Sequence, residues 1–251
     1  MPATATPVPP APLQPFLLLH ALAIPLALAS AGLAAHFMGW DLRLAQWAFD
    51  PVAGGFPARQ WDLLELLGHR LAKSAVLLLW CLLVAAAVAG RWVGLAPAQR
   101  RLLGWTALAM AAGPTLVVVL KELNSAACPW SLEGLGGHAA YRLDWFVGSA
   151  QAGRCFPGGH AAGGFCLVAL VFAARHQGRA DWERAALVLT VGCGLIFSAV
   201  RMAQGAHFLS HNLWAAALDW ACAALVFTPL LRRQRRGQTA TDTRPYTTAA
   251  A

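Results

Sequence analysis

The sequence predicts an all-α polytopic membrane protein with six transmembrane helices. Of its 251 residues, 58% are hydrophobic and only 12% are charged, and the mean hydropathy is +0.54. A soluble domain carries about 25% charged residues, so this chain has too little charge to solvate a globular surface. That deficit excludes a soluble enzyme, a disordered chain and a coiled coil. Each segment in lipid must satisfy its own backbone hydrogen bonds, so the spans are predicted to be helices of about 20 residues.

Runs without charged side chains mark the six predicted spans in chain order. No charged residue precedes Asp41, so residues 15–40 form the first span, which lacks the basic n-region of a signal peptide. The next four spans lie between pairs of basic residues: Lys73 and Arg91, Arg101 and Lys121, Arg154 and Arg175, and Arg184 and Arg201. The sixth covers residues 203–231 and is interrupted only by Asp219.

These spans divide the chain into one membrane domain, residues 15–231, and two tails. The Pro/Ala-rich residues 1–14 and the basic residues 232–251 are expected to be disordered. If both termini are cytoplasmic, the inner segments hold 11 of the 19 basic residues and the outer segments hold eight. Acidic residues show the opposite bias, so the positive-inside rule favours this orientation.

Cationic and histidine side chains from four helices meet at the predicted outer face. Lys121 ends the third span, His160 opens the fourth, Arg201 ends the fifth, and His207 and His211 open the sixth. Individually, the two cations are equally well explained as snorkelling anchors, and each histidine as an interfacial residue. Together they form a set that can hold a phosphoryl group and supply a nucleophile and an acid.

Metal binding is the other interpretation of the histidines at i and i+4. It is disfavoured because no carboxylate or cysteine accompanies them at ligand spacing. We therefore predict neither a metal nor another cofactor. The glycines of Pro157-Gly158-Gly159-His160 fit a phosphate site better, because they permit close backbone approach at a helix N-terminus.

These residues resemble the type 2 phosphatidic acid phosphatase superfamily, which carries the motifs K-x6-R-P, P-S-G-H and S-R-x5-H-x3-D. The chain reads Lys121-x6-Cys128-Pro129, then Pro157-Gly158-Gly159-His160, then Val200-Arg201-x5-His207-x3-His211. The resemblance implies an integral-membrane lipid phosphatase or phosphotransferase of the bacterial inner membrane. Its substrate would be a lipid phosphate or diphosphate, bound at the periplasmic face, with membrane lipids around it and no nucleic acid partner.

The resemblance also implies a role for each matched residue. His207 would attack the phosphorus and become a phosphohistidine, and His160 would protonate the leaving oxygen. Lys121, Arg201 and the Gly159 N–H would bind the phosphoryl oxygens.

Four positions depart from the family motifs: Cys128, Gly158, Val200 and His211. His211 stands where an aspartate would orient the nucleophile, and a neutral imidazole stabilises an imidazolium less well than a carboxylate does. Reduced hydrolysis or a preference for phosphate transfer would follow. Two other functions stay open: a flippase that binds an anionic headgroup, and an inactive phosphate-binding relative.

Two further predictions concern the loop between the third and fourth spans. Arg154 would supply the guanidinium that is missing at Cys128, or else be a solvated loop arginine. Cys128 and Cys155 would form a disulfide in an oxidising compartment, because the other four cysteines lie in apolar spans. The alternative is two free thiols.

Overall fold

The structure is a computed structural model that describes residues 13–143 and 153–242. It is about 77% helical, and the described residues form no β-strand. The longer helices, in chain order, are α1 (Leu13–Phe37), α2 (Trp40–Ala48), α3 (Ala72–Ala89), α4 (Pro97–Glu122), α5 (Gly159–Phe165), α6 (Val168–His176), α7 (Ala180–Ala203) and α8 (Leu209–Asp242).

Five helical segments of the described chain are long and apolar enough to cross a membrane. They are Leu13–Phe37, Ala72–Val93, Pro97–Glu122, Ala180–Ala203 and Leu209–Arg233. These five coincide with predicted spans. The predicted fourth span differs, because it contains the two short helices α5 and α6, separated at Cys166 and Leu167. The described residues therefore form the predicted all-α membrane bundle with five candidate spans, and two short helices take the place of the predicted fourth span.

Small residues lie beside the break in the fourth segment. A Cβ on Gly164 would lie 2.8 Å from the Cα of Gly194 in α7, and the ring of Phe165 occupies the space beside Gly194. Glycine permits this close approach of two helices in a membrane. At the break, the Leu167 N–H donates to the carbonyl of Gly164, a tighter i→i−3 turn than an α-helix has. The broken segment thus packs directly on α7.

Helix α8 lies at the centre of the bundle and α3 at its periphery. More than half of the residues in the apolar stretch of α8 are buried, whereas none in the apolar stretch of α3 are. Phe227 of α8 packs against Phe172 of α6 with ring centroids 5.9 Å apart, and Met110 of α4 belongs to the same core. Leu78 and Leu82 of α3 are exposed. An outward apolar face of this kind suits contact with lipid.

Helix α8 extends into the predicted C-terminal tail. The expected boundary at Leu231 falls inside α8, which continues to Asp242. The first part of the predicted disordered tail, residues 232–242, is therefore helical, since its arginine, glutamine and alanine residues have high helix propensity. Residues 1–12 and 243–251, which hold most of the predicted tails, lie outside the described residues.

A small cap covers the end of the bundle where α4 ends and α8 begins. It consists of α2 and the connections around it, and its apolar cluster contains Ala45, Phe56, Leu132, Leu135 and Phe208. The cap contributes Asp41, whose carboxylate binds Ser210 at the start of α8.

Candidate active site

One cavity of about 660 Å³ collects most of the predicted site residues. Lys121, Gly159, His160, Arg201 and His207 all line it. They come from the last turn of α4, the first turn of α5, the last turn of α7 and the connection between α7 and α8. The chain therefore brings two cations and two histidines from four parts of the sequence to one place.

The two cavity histidines face each other across a short gap. The ring centroids of His160 and His207 are 6.3 Å apart. That separation leaves room for one phosphoryl group between a nucleophile and an acid, each of which needs to lie about 3 Å from the atom it acts on. A Cβ on Gly159 would lie 3.3 Å from the Cε of Lys121, so the α5 N-terminus and the lysine are close neighbours.

His207 is buried, and its surroundings favour the neutral imidazole. Burial is the main cause that lowers the pKa of His207 well below its usual value, and the positive charge of Lys121 adds to it. The Nδ1 atom lies 3.5 Å from the Sγ atom of Cys155. A neutral imidazole has one unprotonated ring nitrogen, which nucleophilic attack requires.

Arg201 is held against the cavity wall by two contacts. Its guanidinium donates to the side-chain oxygen of the buried Gln204 at 2.8 Å and lies 5.9 Å from the ring centroid of Trp130. The guanidinium of Arg59 lies 4.4 Å from the same ring. A guanidinium fixed in this way loses little entropy when it binds phosphate oxygens.

Hydrogen bonds and a disulfide fix the loop before α5. Cys128 and Cys155 form a disulfide, with their Cα atoms 5.2 Å apart. The Cys155 N–H donates to the carbonyl of Ala126 at 3.0 Å, and the side-chain amide of Asn124 donates to the carbonyl of Phe156. The peptide bond between Phe156 and Pro157 is cis. The loop that carries His160 is thereby attached to the end of α4.

Glycine is favoured at residue 158 because there is no room for a side chain, and not because of the backbone conformation. Its φ of −73° suits any residue, but a Cβ there would lie 2.4 Å from the Oδ1 atom of Asn212. Its N–H donates to the carbonyl of His211 at 2.9 Å. The side chain of Asn212 thus occupies the position where the family motif has a serine side chain.

His211 lies behind His207 and outside the cavity lining. The ring centroids of the two histidines are 5.9 Å apart, and His211 is only 1% exposed. Its Nδ1 atom has no hydrogen-bond partner among the described residues. The structure places it beside the proposed nucleophile, as an orienting residue requires, without a hydrogen bond between them.

A buried carboxylate that the sequence analysis missed supports this region. Asp41 of α2 accepts hydrogen bonds from the Ser210 N–H at 2.9 Å and from its hydroxyl at 2.5 Å, and it lies 3.3 Å from Nδ1 of His36. Ser210 immediately precedes His211, so the carboxylate is attached to the same turn of α8 as that histidine. The only signal in the sequence was its position as the first charged residue after the first span, 169 residues before Ser210.

Tyr141 closes this network on the cap side. Its hydroxyl lies 3.2 Å from Nδ1 of His36, and the other ring nitrogen of His36 donates to the carbonyl of Leu143 at 3.0 Å. Burial, together with the charge of Asp41, raises the pKa of Tyr141 to about 12, so the phenol keeps its proton.

Arg154 makes a different contact from the predicted one. Its guanidinium pairs with Glu122 at 2.7 Å in an exposed ion pair, and it is not among the residues that line the cavity. Its backbone carbonyl, however, lies 3.5 Å from Nζ of Lys121 and accepts a hydrogen bond from it. An acidic neighbour in the adjacent turn captures the guanidinium, and this could not be anticipated from loop position alone.

Lys73 is a further cation in the cavity wall that the sequence analysis did not assign. It lies at the start of α3, where the apolar side chains of Val76, Leu77 and Trp80 continue the wall. The cavity therefore has a cationic, histidine-lined end and an apolar remainder.

An apolar helical bundle whose helix ends surround one cationic, histidine-lined cavity defines a membrane protein suited to phosphoryl chemistry. Residues 102–235, more than half of the chain, match the PAP2 superfamily model, and the protein belongs to that superfamily of phosphatases and phosphotransferases. No curated protein and no solved structure matches the chain. The matched residues include every motif position but not Asp41 or Lys73.

Proposed function

We propose that this protein is an integral-membrane lipid phosphatase or phosphotransferase that acts on a lipid phosphate or diphosphate. The observation that supports this most directly is the two-part cavity. Its polar end suits a phosphate headgroup, and the wall formed by side chains such as Met110, Val118 and Phe197 suits a hydrocarbon chain. A volume of about 660 Å³ lies within the range of small-molecule sites.

In the first chemical step, Nε2 of His207 attacks the phosphorus. Lys121, Arg201 and the Gly159 N–H stabilise the negative charge on the phosphoryl oxygens. A P–N bond forms while the bond from phosphorus to the lipid oxygen breaks, and His160 gives its proton to the leaving oxygen. The products are a phosphohistidine and the dephosphorylated lipid, or the lipid monophosphate if the substrate is a diphosphate.

In the second step, His160 acts as a base. It takes a proton from a water molecule, whose oxygen attacks the phosphorus, and the P–N bond breaks. Inorganic phosphate leaves and His207 returns to its neutral form. If an alcohol replaces the water, the same step transfers the phosphoryl group to that alcohol.

We propose that the cavity opens at the periplasmic face of a bacterial inner membrane, with both termini in the cytoplasm. The excess of arginine in the opposite loops supports this orientation. Helices α5 and α6 together contain residues 159–176, enough for about 27 Å at 1.5 Å per residue. A crossing by this broken segment makes six crossings and places the two termini on the same side.

Phosphate release from a panel of lipid monophosphates and diphosphates tests the proposal. His160→Ala is expected to lower kcat by about 10²–10⁴-fold, the usual contribution of a general acid. His207→Ala is expected to abolish both release and the acid-quenched phosphoenzyme. His138→Ala, at an exposed histidine of the cap, is the matched control and is expected to retain activity.

Two other outcomes would contradict the enzyme assignment. Movement of lipid across vesicle membranes without phosphate release would indicate the flippase. Saturable binding of the lipid phosphate with neither release nor movement would indicate an inactive relative, a function that the departures at Gly158 and His211 favour.

A further inference from the structure

Three potential ligand atoms for a soft divalent cation meet behind the cavity. The Sγ atom of Cys155 and one ring nitrogen each of His207 and His211 all lie within 4.8 Å of one another, and all three residues are buried. Residue spacing could not indicate this group, because Cys155 lies 52 residues before His207. The fold places the sulfur of Cys155 beside the two histidines, although no cysteine lies near them in the sequence.

The separation between sulfur and nitrogen fits a tetrahedral metal site. Zinc binds thiolate sulfur at about 2.3 Å and imidazole nitrogen at about 2.0–2.1 Å, so the two ligand atoms lie about 3.5 Å apart at a tetrahedral angle. In the structure, Sγ of Cys155 and Nδ1 of His207 are 3.5 Å apart. One ring nitrogen of His211 lies within 4.8 Å of both atoms.

While Cys155 is bonded to Cys128 in the disulfide, its sulfur cannot bind a metal ion as a thiolate. Metals bind the thiolate, and a sulfur within a disulfide carries no such charge. A dithiol reductant changes this by giving two electrons and two protons: the bond between Cys128 and Cys155 breaks, two thiols form, and the reductant becomes a disulfide. Cys155 then loses its proton when the metal binds.

We propose that Cys155, His207 and His211 form a Zn²⁺-type metal site that becomes available when the Cys128–Cys155 disulfide is reduced, and that metal binding there inhibits the enzyme. The inhibitory part rests on the proposed function, because it assumes that His207 is the nucleophile. A metal on Nδ1 requires the tautomer that carries its proton on Nε2. The lone pair needed for attack on phosphorus is then lost.

The surrounding contacts keep the three ligands together without the disulfide. The Cys155 N–H is bonded to the carbonyl of Ala126, and the Gly158 N–H is bonded to the carbonyl of His211. Neither hydrogen bond involves the sulfur atoms. His207 lines the cavity, which gives the ion a route from solvent.

The test compares Cys128→Ser, which leaves Cys155 as a thiol, with the matched double variant Cys128→Ser/Cys155→Ser. Both retain the same four other cysteines. With Co²⁺ as a spectroscopic probe, Cys128→Ser is expected to show a thiolate-to-cobalt charge-transfer band that the double variant lacks. Adding His207→Ala to Cys128→Ser is expected to weaken binding by about tenfold or more, as loss of a ligand does.

Activity supplies the second readout. One equivalent of Zn²⁺ is expected to lower phosphate release by Cys128→Ser about tenfold or more, reversibly with a chelator, and to leave the double variant and the oxidised wild-type chain unaffected. Wild-type protein reduced by a dithiol must behave like Cys128→Ser, which covers the case in which the variant folds poorly. The same cobalt spectrum in single and double variants would overturn the metal site. The cobalt measurement needs no catalysis, so it stands even if the chain proves to have no phosphatase activity.

Discussion

Replacing Gly158 with serine, the residue that the family motif has there, is expected to destabilise this protein. The backbone conformation accepts serine, so the effect is purely steric. A Cβ would lie 2.4 Å from Oδ1 of Asn212 and 3.2 Å from the carbonyl oxygen of His211, both tighter than ordinary contacts. Overpacking in a closely packed interior costs about 1–3 kcal/mol. We expect Gly158→Ser to lower the free energy of unfolding by that amount.

The tightest contact is with the side chain of Asn212, so removing that side chain is expected to relieve most of the clash. Neither polar atom of the Asn212 amide has a hydrogen-bond partner among the described residues. Asn212→Ala therefore removes no protein hydrogen bond that the structure shows, and we expect it to cost less than Gly158→Ser. The double variant is expected to be more stable than the sum of the two single effects by about 1–2 kcal/mol, within the range seen for contacting residues.

Denaturant unfolding of the four proteins in detergent micelles measures this coupling energy. Gly192→Ser is the control, because nothing lies within 4 Å of the position a Cβ would take there. The steric argument is refuted if the effects of Gly158→Ser and Asn212→Ala add within about 0.5 kcal/mol. It is refuted as well if Gly192→Ser destabilises the protein as much as Gly158→Ser.

Three further predictions concern charge around the site. Asp41→Asn is expected to lower kcat by about tenfold, equivalent to about 1.4 kcal/mol, with little change in KM. Asp50→Asn on the same cap is the control and is expected to leave kcat unchanged. Equal effects of the two substitutions on kcat would contradict a positioning role for Asp41. Because burial and the charge of Lys121 lower the pKa of His207, protonation of His207 is expected to reduce kcat/KM only well below pH 6.5. Lys121→Met removes the positive charge and should move this decrease in kcat/KM to higher pH. An unchanged pH dependence would contradict the electrostatic coupling between the two residues. Lys73→Gln is expected to raise KM, measured by phosphate release, more for a lipid diphosphate than for a lipid monophosphate. An equal rise in KM for both substrates would indicate that Lys73 attracts anionic lipids in general and does not bind the second phosphate.

The low pKa of His207 also affects stability. Below about pH 6.5 the unfolded chain takes up a proton at this histidine, whereas the folded protein does not. The free energy of unfolding therefore decreases as the pH falls below 6.5, by about 1.4 kcal/mol per pH unit from this group until the folded-state pKa is reached.

Periodic and local features of the chain could be predicted from the sequence. Charge-free runs locate the spans because lipid excludes charged side chains, and the motif residues at span ends locate the cavity because helices of similar length end at the same surface. The pairing of Cys128 with Cys155 follows from elimination of the cysteines inside spans. None of these inferences depends on how the helices pack.

Features that depend on tertiary packing could not be predicted. The break between α5 and α6 lies just after the close approach of Gly164 to Gly194, and neither glycine is unusual in its own segment. The extension of α8 to Asp242 overrides a polar composition that is also typical of a disordered tail. The Arg154 guanidinium is directed by Glu122, whose side chain shares the same exposed surface.

The departures from the family motifs are best understood by what now occupies each place. Cys128 still lines the cavity, where its bond to Cys155 fixes a loop instead of binding a phosphate oxygen. Asn212 fills the space of the serine side chain at Gly158. A carboxylate is present near His211, because Asp41 of the cap binds the neighbouring residue Ser210. Nothing in the structure explains Val200.

These replacements come from parts of the chain that are remote from the motifs, so they constrain one another. Restoring the family aspartate at residue 211 would bring a second carboxylate close to Asp41 inside a buried site, and two buried like charges destabilise each other. Restoring an arginine at residue 128 would remove the disulfide and leave Cys155 free beside His207. Each reversion is compatible only with a further change elsewhere. The altered motifs therefore belong to one consistent arrangement of the site. In it, residues of the cap, the loop before α5 and helix α8 stand in for side chains that the family motifs supply directly.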